Sequence, residues 1–229
     1  IGSYAFAGTG LTSIEIPNSV TTIGQSAFAG LGLTSIEIPN SVTIIGPSAF
    51  GACPSLASIE ISGNVSNIEN WTFRNCSSLN SVILPNSVVS IGGEAFRGCS
   101  SLTSIVIPDD VTTIGYSAFR DCQNLTSINL PEGINSRGTG IFYGCTALTS
   151  ITGGSNVISV GENSFYNCSA LESIGIGKKL EEIGNSAFYG CAALSSLVAS
   201  DCLRTIGERA FYNCTSLEEF VIPATTESI

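Results

Sequence analysis

The sequence predicts an α/β solenoid: a right-handed superhelix of about ten stacked turns, with a parallel β-sheet on its concave face and short strands and 3₁₀ turns on the convex side. Three observations predict it. Ten Phe residues (Phe6, Phe28, Phe50, Phe73, Phe96, Phe119, Phe142, Phe165, Phe188 and Phe211) are spaced by 22 residues twice and then by 23 seven times. Cys keeps the same spacing three places later, at Cys53, Cys76, Cys99, Cys122, Cys145, Cys168, Cys191 and Cys214. Between these marks, apolar residues alternate with polar ones over a few positions and are followed by Pro, which is how a short half-buried strand reads. A fixed period of this length signals a repeat architecture in which each unit buries its apolar face against its neighbours.

Residues 99–119 show the elements in order. Leu102, Ile105 and Ile107 are the inward positions of a strand, and Pro108 ends it because it has no N–H to give a ladder. Val111 and Ile114 turn back to the interior. Gly115 is expected to permit a tight bend. Ala118 and Phe119 are expected to fill the core from a short helical or 3₁₀ turn. The Phe spine from Phe28 to Phe211 and the Cys column from Cys53 to Cys214 are assigned to the core, the thiols reduced, because in-register side chains point the same way and suit disulfide geometry poorly. The whole span 1–229 reads as one domain that begins and ends in mid-repeat, with Ile1 and Ile229 in the phase of Ile114. This is the expectation for a segment of a longer protein.

Composition narrows the function. There are 18 acidic and 8 basic residues, a net charge of −10, and no His. A nucleic-acid binder needs a basic face, and docking on anionic lipid needs one too. Without His, neither a Ser-His-Asp nor a Cys-His site can be built in this chain. Phosphate-loop, dinucleotide and nucleophile-elbow motifs are missing, and the cysteines lack the close pairs that zinc requires. The reading is therefore non-enzymatic, with no cofactor and no membrane-spanning segment.

The unit C-x-x-L-x-x-I-x-I-P-x-x-V-x-x-I-G-x-x-A-F in residues 99–119 resembles the BspA-like, or Treponema-type, leucine-rich repeats, and the likeness runs over nearly the whole chain. It departs from the pattern at Arg137, Ile141, Glu69, Gly154, Gly177, Ser62 and Ser200, and a loosened turn is expected around Arg137. The resemblance implies a recognition module: family members include bacterial and protist surface adhesins that engage host or matrix proteins, and others in free-living eukaryotes have no assigned role. A cell-surface or secreted adhesin-like domain that binds protein or glycan is the first expectation. A structural scaffold subunit inside a larger intracellular or organellar complex is the alternative.

Two columns are candidate partner surfaces. On the strand face, Glu15, Glu37, Glu60, Ile83, Val106, Asn129, Val198 and Val221 share one repeat phase. Its three Glu could hold a weakly bound cation or face a basic partner, although in bulk water like charges ~4 Å apart repel by only about 1 kcal/mol. Its apolar members put large side chains where solvent is expected. The second column follows each Phe by one residue and carries Arg74, Arg97, Arg120, Tyr143, Tyr166, Tyr189 and Tyr212. Arg and Tyr are enriched at binding hot spots, but stacked rings and covering Arg stems would give the same regularity.

Overall fold

The structure, a computed structural model, describes residues 1–134, 138–175 and 178–229. The departures at Arg137 and Gly177 lie outside the described residues.

The chain forms a parallel β-solenoid. One ladder carries the strands Ser35–Ile38, Ser58–Ile61 and Ser81–Ile83, then Ser127–Leu130, Ser150–Gly153 and Ser173–Ile174. Their pairing is parallel and in register, with Ser35, Ser58 and Ser81 abreast. A second ladder consists of eight two-residue strands, from Thr22–Ile23 to Thr205–Ile206, so paired strands account for about eight turns. Residues 104–107, expected as a strand, are not one here, yet Ile105 and Ile107 are buried as the pattern requires.

The core lies between the two ladders and a third wall made of the Phe turns. Nine of the ten ruler rings are joined by eight contacts from Phe28 to Phe211, with Phe6 stacked before them; neighbouring centroids are 5.1 to 5.7 Å apart and ring planes within 16° of parallel. That spacing follows the rise of one turn, which is close to the distance between hydrogen-bonded strands. The rings are therefore offset rather than face to face, the arrangement their quadrupoles favour. Phe28 to Phe188 are buried, whereas Phe211 and Cys214 are half-buried in the last turn.

The α half of the expected fold class is corrected: among the described residues there is no helix. The reason is local. The residues two before and two after each Phe have left-handed backbones, for example Glu94 (φ 52°) and Gly98 (φ 72°) around Phe96, and Ser117 (φ 51°) and Asp121 (φ 59°) around Phe119. Alternating right- and left-handed residues cannot continue a helix. They instead aim successive N–H groups along the solenoid axis. Phe96 N–H donates to the Ala118 carbonyl at 2.8 Å, and Gly98 N–H to Arg120 at 2.8 Å, one turn ahead. The Phe turns thus pair like a ladder, through residues that no helix would leave free.

Gly115 is also corrected. Its φ is not left-handed, so it does not serve a special bend. A Cβ there would lie 2.4 Å from the Gly93 nitrogen and 2.6 Å from the Gly92 carbonyl carbon, both backbone atoms of the previous turn. The same crowding is found at Gly24, Gly46, Gly184 and Gly207. Glycine here is a matter of close approach between turns. Gly115→Ala is expected to lower stability by about 2–3 kcal/mol, since backbone cannot make room cheaply. Gly30→Ala, at φ 73° but with no atom closer than 3.8 Å to the new Cβ, is expected to lose only about 1–2 kcal/mol of conformational strain. Urea midpoints of the two variants check the order, and Gly30→Ala proving the worse of the two would refute it.

Candidate recognition surfaces

The strand-face column lies on the open side of the first ladder. In Ser35–Ile38 the burial alternates, with Ile36 and Ile38 in the core and Ser35 and Glu37 in solvent. Glu37 and Glu60 are direct register partners, and Glu60 is abreast of Ile83. Glu15, Val106, Val198 and Val221 keep the same phase but fall outside the assigned strands. Val106, Val198 and Val221 are 83%, 85% and 82% exposed, and Ile83 is 54% exposed. Asn129 is exposed and its side-chain oxygen accepts a hydrogen bond from the Thr152 hydroxyl at 2.9 Å. The face therefore runs from three acids through an apolar pair and a polar stretch to a second apolar pair.

The cation expectation is not carried by this geometry. No group of three or more acidic, Cys or His side chains suited to a metal occurs among the described residues. Glu37 and Glu60 are register partners on neighbouring strands, and Glu15 lies in the same phase one turn earlier.

The edge column is largely satisfied within the chain. Glu94 Oε2 lies 2.9 Å from Arg97 Nη1 and 3.2 Å from Arg74 Nε. Asp121 Oδ2 lies 3.4 Å from Arg120 Nε and 4.0 Å from Arg97 Nε. The Arg120 guanidinium then caps the Tyr143 ring at 4.1 Å, a contact worth about 0.5–1 kcal/mol at an exposed site. Tyr143, Tyr166, Tyr189 and Tyr212 follow as a stack with centroids 4.7, 4.5 and 4.9 Å apart. Partial burial and the neighbouring Tyr166 and Tyr212 raise the Tyr189 phenol above its ordinary value. Glu94 and Asp121 were not among the candidate residues. Their signal was legible, since they stand two places before Phe96 and two after Phe119, in the lanes that flank the Arg column.

The cysteines have a definite role. Each of the eight thiols of the 23-residue column donates to the carbonyl of the Phe one turn earlier, at 3.0 to 3.2 Å, as Cys99 does to Phe73 and Cys122 to Phe96, whereas Cys202 lies outside the column and is exposed. A small apolar side chain with one weak donor suits a buried carbonyl that needs a second partner. In the first turns, where Cys is missing, the Thr9 hydroxyl serves the Phe6 carbonyl at 2.9 Å. All the thiols described are free. Cys53 is held down by its hydrogen bond with Cys76, whereas burial pushes up the column from Cys99 to Cys214, Cys99 to about 12 and Cys214 to about 11. Such thiols are poor nucleophiles, because only the thiolate reacts.

This repeat has known relatives. The BspA type leucine-rich repeat region matches in 6 copies, over residues 1–126 and 112–229. The chain belongs to the BspA-type leucine-rich repeat family. Among solved structures, this BspA-type chain is similar to a leucine-rich repeat protein from Bacteroides ovatus, at 28% identity and a TM-score of 0.77, covering 99% of this chain and 70% of the other. It is similar to one from Eubacterium ventriosum, at 28% identity and a TM-score of 0.73, covering 99% and 64%. It is also similar to the leucine-rich repeat protein of T. pallidum, at 32% identity and a TM-score of 0.65, covering 74% and 81%. No curated protein matches the chain. The names of these structures describe repeat proteins and no enzymatic activity, and no helix among the described residues is long and apolar enough to cross a membrane.

Proposed function

We propose that this BspA-type segment is a non-catalytic recognition module that binds a protein through its open strand face, in a cell-surface or secreted setting like that of the adhesins it resembles. One observation carries the reading. Val106, Val198 and Val221 are each more than four-fifths exposed in the column that also holds Glu37 and Glu60, and no ion pair to Glu15, Glu37 or Glu60 occurs among the described residues. Large apolar side chains in the open beside unpaired charge are what a partner surface supplies before its partner arrives. The edge column is the weaker surface, because its Arg and Tyr side chains already occupy one another.

The reading is tested by binding of the purified chain to a panel of immobilised extracellular-matrix proteins. Binding to at least one of them is expected. Glu37→Lys with Glu60→Lys is expected to weaken it at least tenfold, a change of about 1.4 kcal/mol, and Val106→Asp with Val198→Asp to do the same. Tyr166→Ala with Tyr189→Ala is expected to change it by less than threefold. Full binding by both strand-face double variants would remove this face from the function.

A further inference from the structure

We infer that the tyrosine stack of the edge lane is a site of oxidative cross-linking, where a haem peroxidase with hydrogen peroxide joins Tyr166 to Tyr189 as dityrosine and staples two turns of the solenoid. The inference concerns the lane that the proposed function leaves aside, and it does not depend on that reading.

Four of the six Tyr in the chain occupy consecutive turns of this lane, at Tyr143, Tyr166, Tyr189 and Tyr212. Tyr166 and Tyr189 are the nearest pair, with centroids 4.5 Å apart and planes 5° from parallel. Along the Phe spine the centroids stand at 5.1 to 5.7 Å, so the Tyr rings overlap more fully than the core rings do. Two rings that overlap in parallel bring equivalent carbons, including those next to each hydroxyl, opposite one another. The phenols also feel one another, because burial and then the neighbouring Tyr166 and Tyr212 raise the Tyr189 phenol. The stack is open to solvent along its edge: Tyr143, Tyr166 and Tyr189 are half-buried and Tyr212 is 51% exposed.

The ends of the stack direct the coupling to its middle. The Arg120 guanidinium sits 4.1 Å from the centre of the Tyr143 ring. A positive charge over a ring attracts its electrons, so removing one from Tyr143 costs more than removing one from the rings beyond. Tyr212 is tilted 19° from Tyr189 at 4.9 Å, a poorer alignment than that of Tyr166 with Tyr189. No stacking of Tyr4 or Tyr116 on another Tyr occurs among the described residues.

The step balances. The peroxidase removes one electron and the phenolic proton from each of the two tyrosines, which leaves two phenoxyl radicals. Hydrogen peroxide takes up the two electrons and two protons and departs as two waters. The radicals form one carbon–carbon bond between ring positions next to the oxygens. The hydrogens displaced from those carbons move to the oxygens, so both rings regain their aromaticity and both phenols return. The chain loses two hydrogens in all.

Such a tie supplies what the Cys column does not. The described thiols are free, and those of the column are directed at Phe carbonyls. Each turn of a solenoid rests only on its neighbours, so a covalent bond between two of them opposes their parting. It also closes a loop in the unfolded chain, as a disulfide does.

The purified chain is treated at low concentration with a haem peroxidase and hydrogen peroxide. Dityrosine fluorescence is expected in material that still runs as a monomer on a denaturing gel. Trypsin cuts at Lys178 and Lys179, between the two tyrosines, and mass spectrometry is expected to find the flanking fragments joined and two hydrogens lighter. The urea midpoint of the joined monomer is expected to rise. Tyr166→Phe with Tyr189→Phe keeps the rings stacked but leaves no two phenols in contact within the lane, and is expected to lose the monomer's fluorescence. Tyr143→Phe with Tyr212→Phe keeps the central pair and is expected to retain most of it. Glu37→Lys with Glu60→Lys, on the strand face, is expected to cross-link as the parent chain does, so the two readings fail or stand separately. The inference is overturned if dityrosine does not form or forms only in dimers, if the central double variant keeps the monomer's fluorescence, or if the joined monomer unfolds at the same urea concentration as the untreated chain.

Discussion

Phe119→Ala is expected to lower stability by about 3–5 kcal/mol, the range for deleting a fully buried ring from a core that cannot collapse around it. Phe119 is completely buried, with Phe96 at 5.4 Å on one side and Phe142 at 5.7 Å on the other, in planes 4° and 8° away. The two backbone walls cannot close on the gap, because they are held at the pitch of the strand ladders. The loss also has a long reach. Each turn of a solenoid touches only its neighbours, so a weak link in the middle divides one cooperative stack into two shorter ones. Urea unfolding followed by circular dichroism should show a lower midpoint and a second transition or a reduced slope. Phe6→Ala, at a half-buried ring with one neighbour, should cost clearly less. A Phe119→Ala midpoint indistinguishable from the parent chain would show that the spine is not what holds the turns together.

Alkaline pH should unfold the protein well before it would unfold a chain without this Cys column. Cys99, Cys122, Cys145, Cys168, Cys191 and Cys214 are all held above their ordinary 9.0, first by burial, and Cys99 lies at about 12. The folded state keeps these protons longer than the unfolded chain does. Stability is therefore full below pH 9, begins to fall as the unfolded thiols ionise, and goes on falling until the folded thiols titrate. At pH 10 each of the five buried thiols removes about 1.4 kcal/mol, so together they remove about 7 kcal/mol, comparable to the whole stability of an ordinary domain, and the half-buried Cys214 adds less. The Tyr189 phenol, also raised, adds in the same direction at higher pH. Melting measured in a reductant at pH 8, 9 and 10 checks this. Cys99→Ser keeps a donor for the Phe73 carbonyl and removes one titrating group, so its decline should be shallower. A melting temperature that stays level from pH 8 to pH 10 would mean that the thiols reach water in the native state.

Much of the molecule was legible in the sequence, and particular residues show why. Ile36, Ile38, Leu102 and Phe119 read as core because a fixed period places them on one side of every turn, and burial of apolar area decides which side. Val106 and Val198 read as exposed by the same register. The Ala118–Phe119 segment misread as helix because apolar residues in a short run do not distinguish a helical turn from two left-handed ones. Yet the position two after Phe is Gly, Asn or Asp in nine of the ten turns, Ala52 being the exception, and these are the residues that tolerate such a backbone.

The sequence by itself determined the repeat, the register of every column and the assignment of Phe and Cys to the interior, since these follow from periodicity and the cost of leaving apolar surface in water. Only the tertiary structure decided what the columns do for one another. The thiols bond to Phe carbonyls a turn away, Glu94 and Asp121 neutralise the Arg lane, and the glycines at 92 and 115 let two backbones meet. The thiol bonds, the Arg74–Glu94 and Arg97–Asp121 pairs and the glycine approach join residues about 20 to 26 positions apart, and their distances are set by how closely the turns stack, a quantity that no single turn contains.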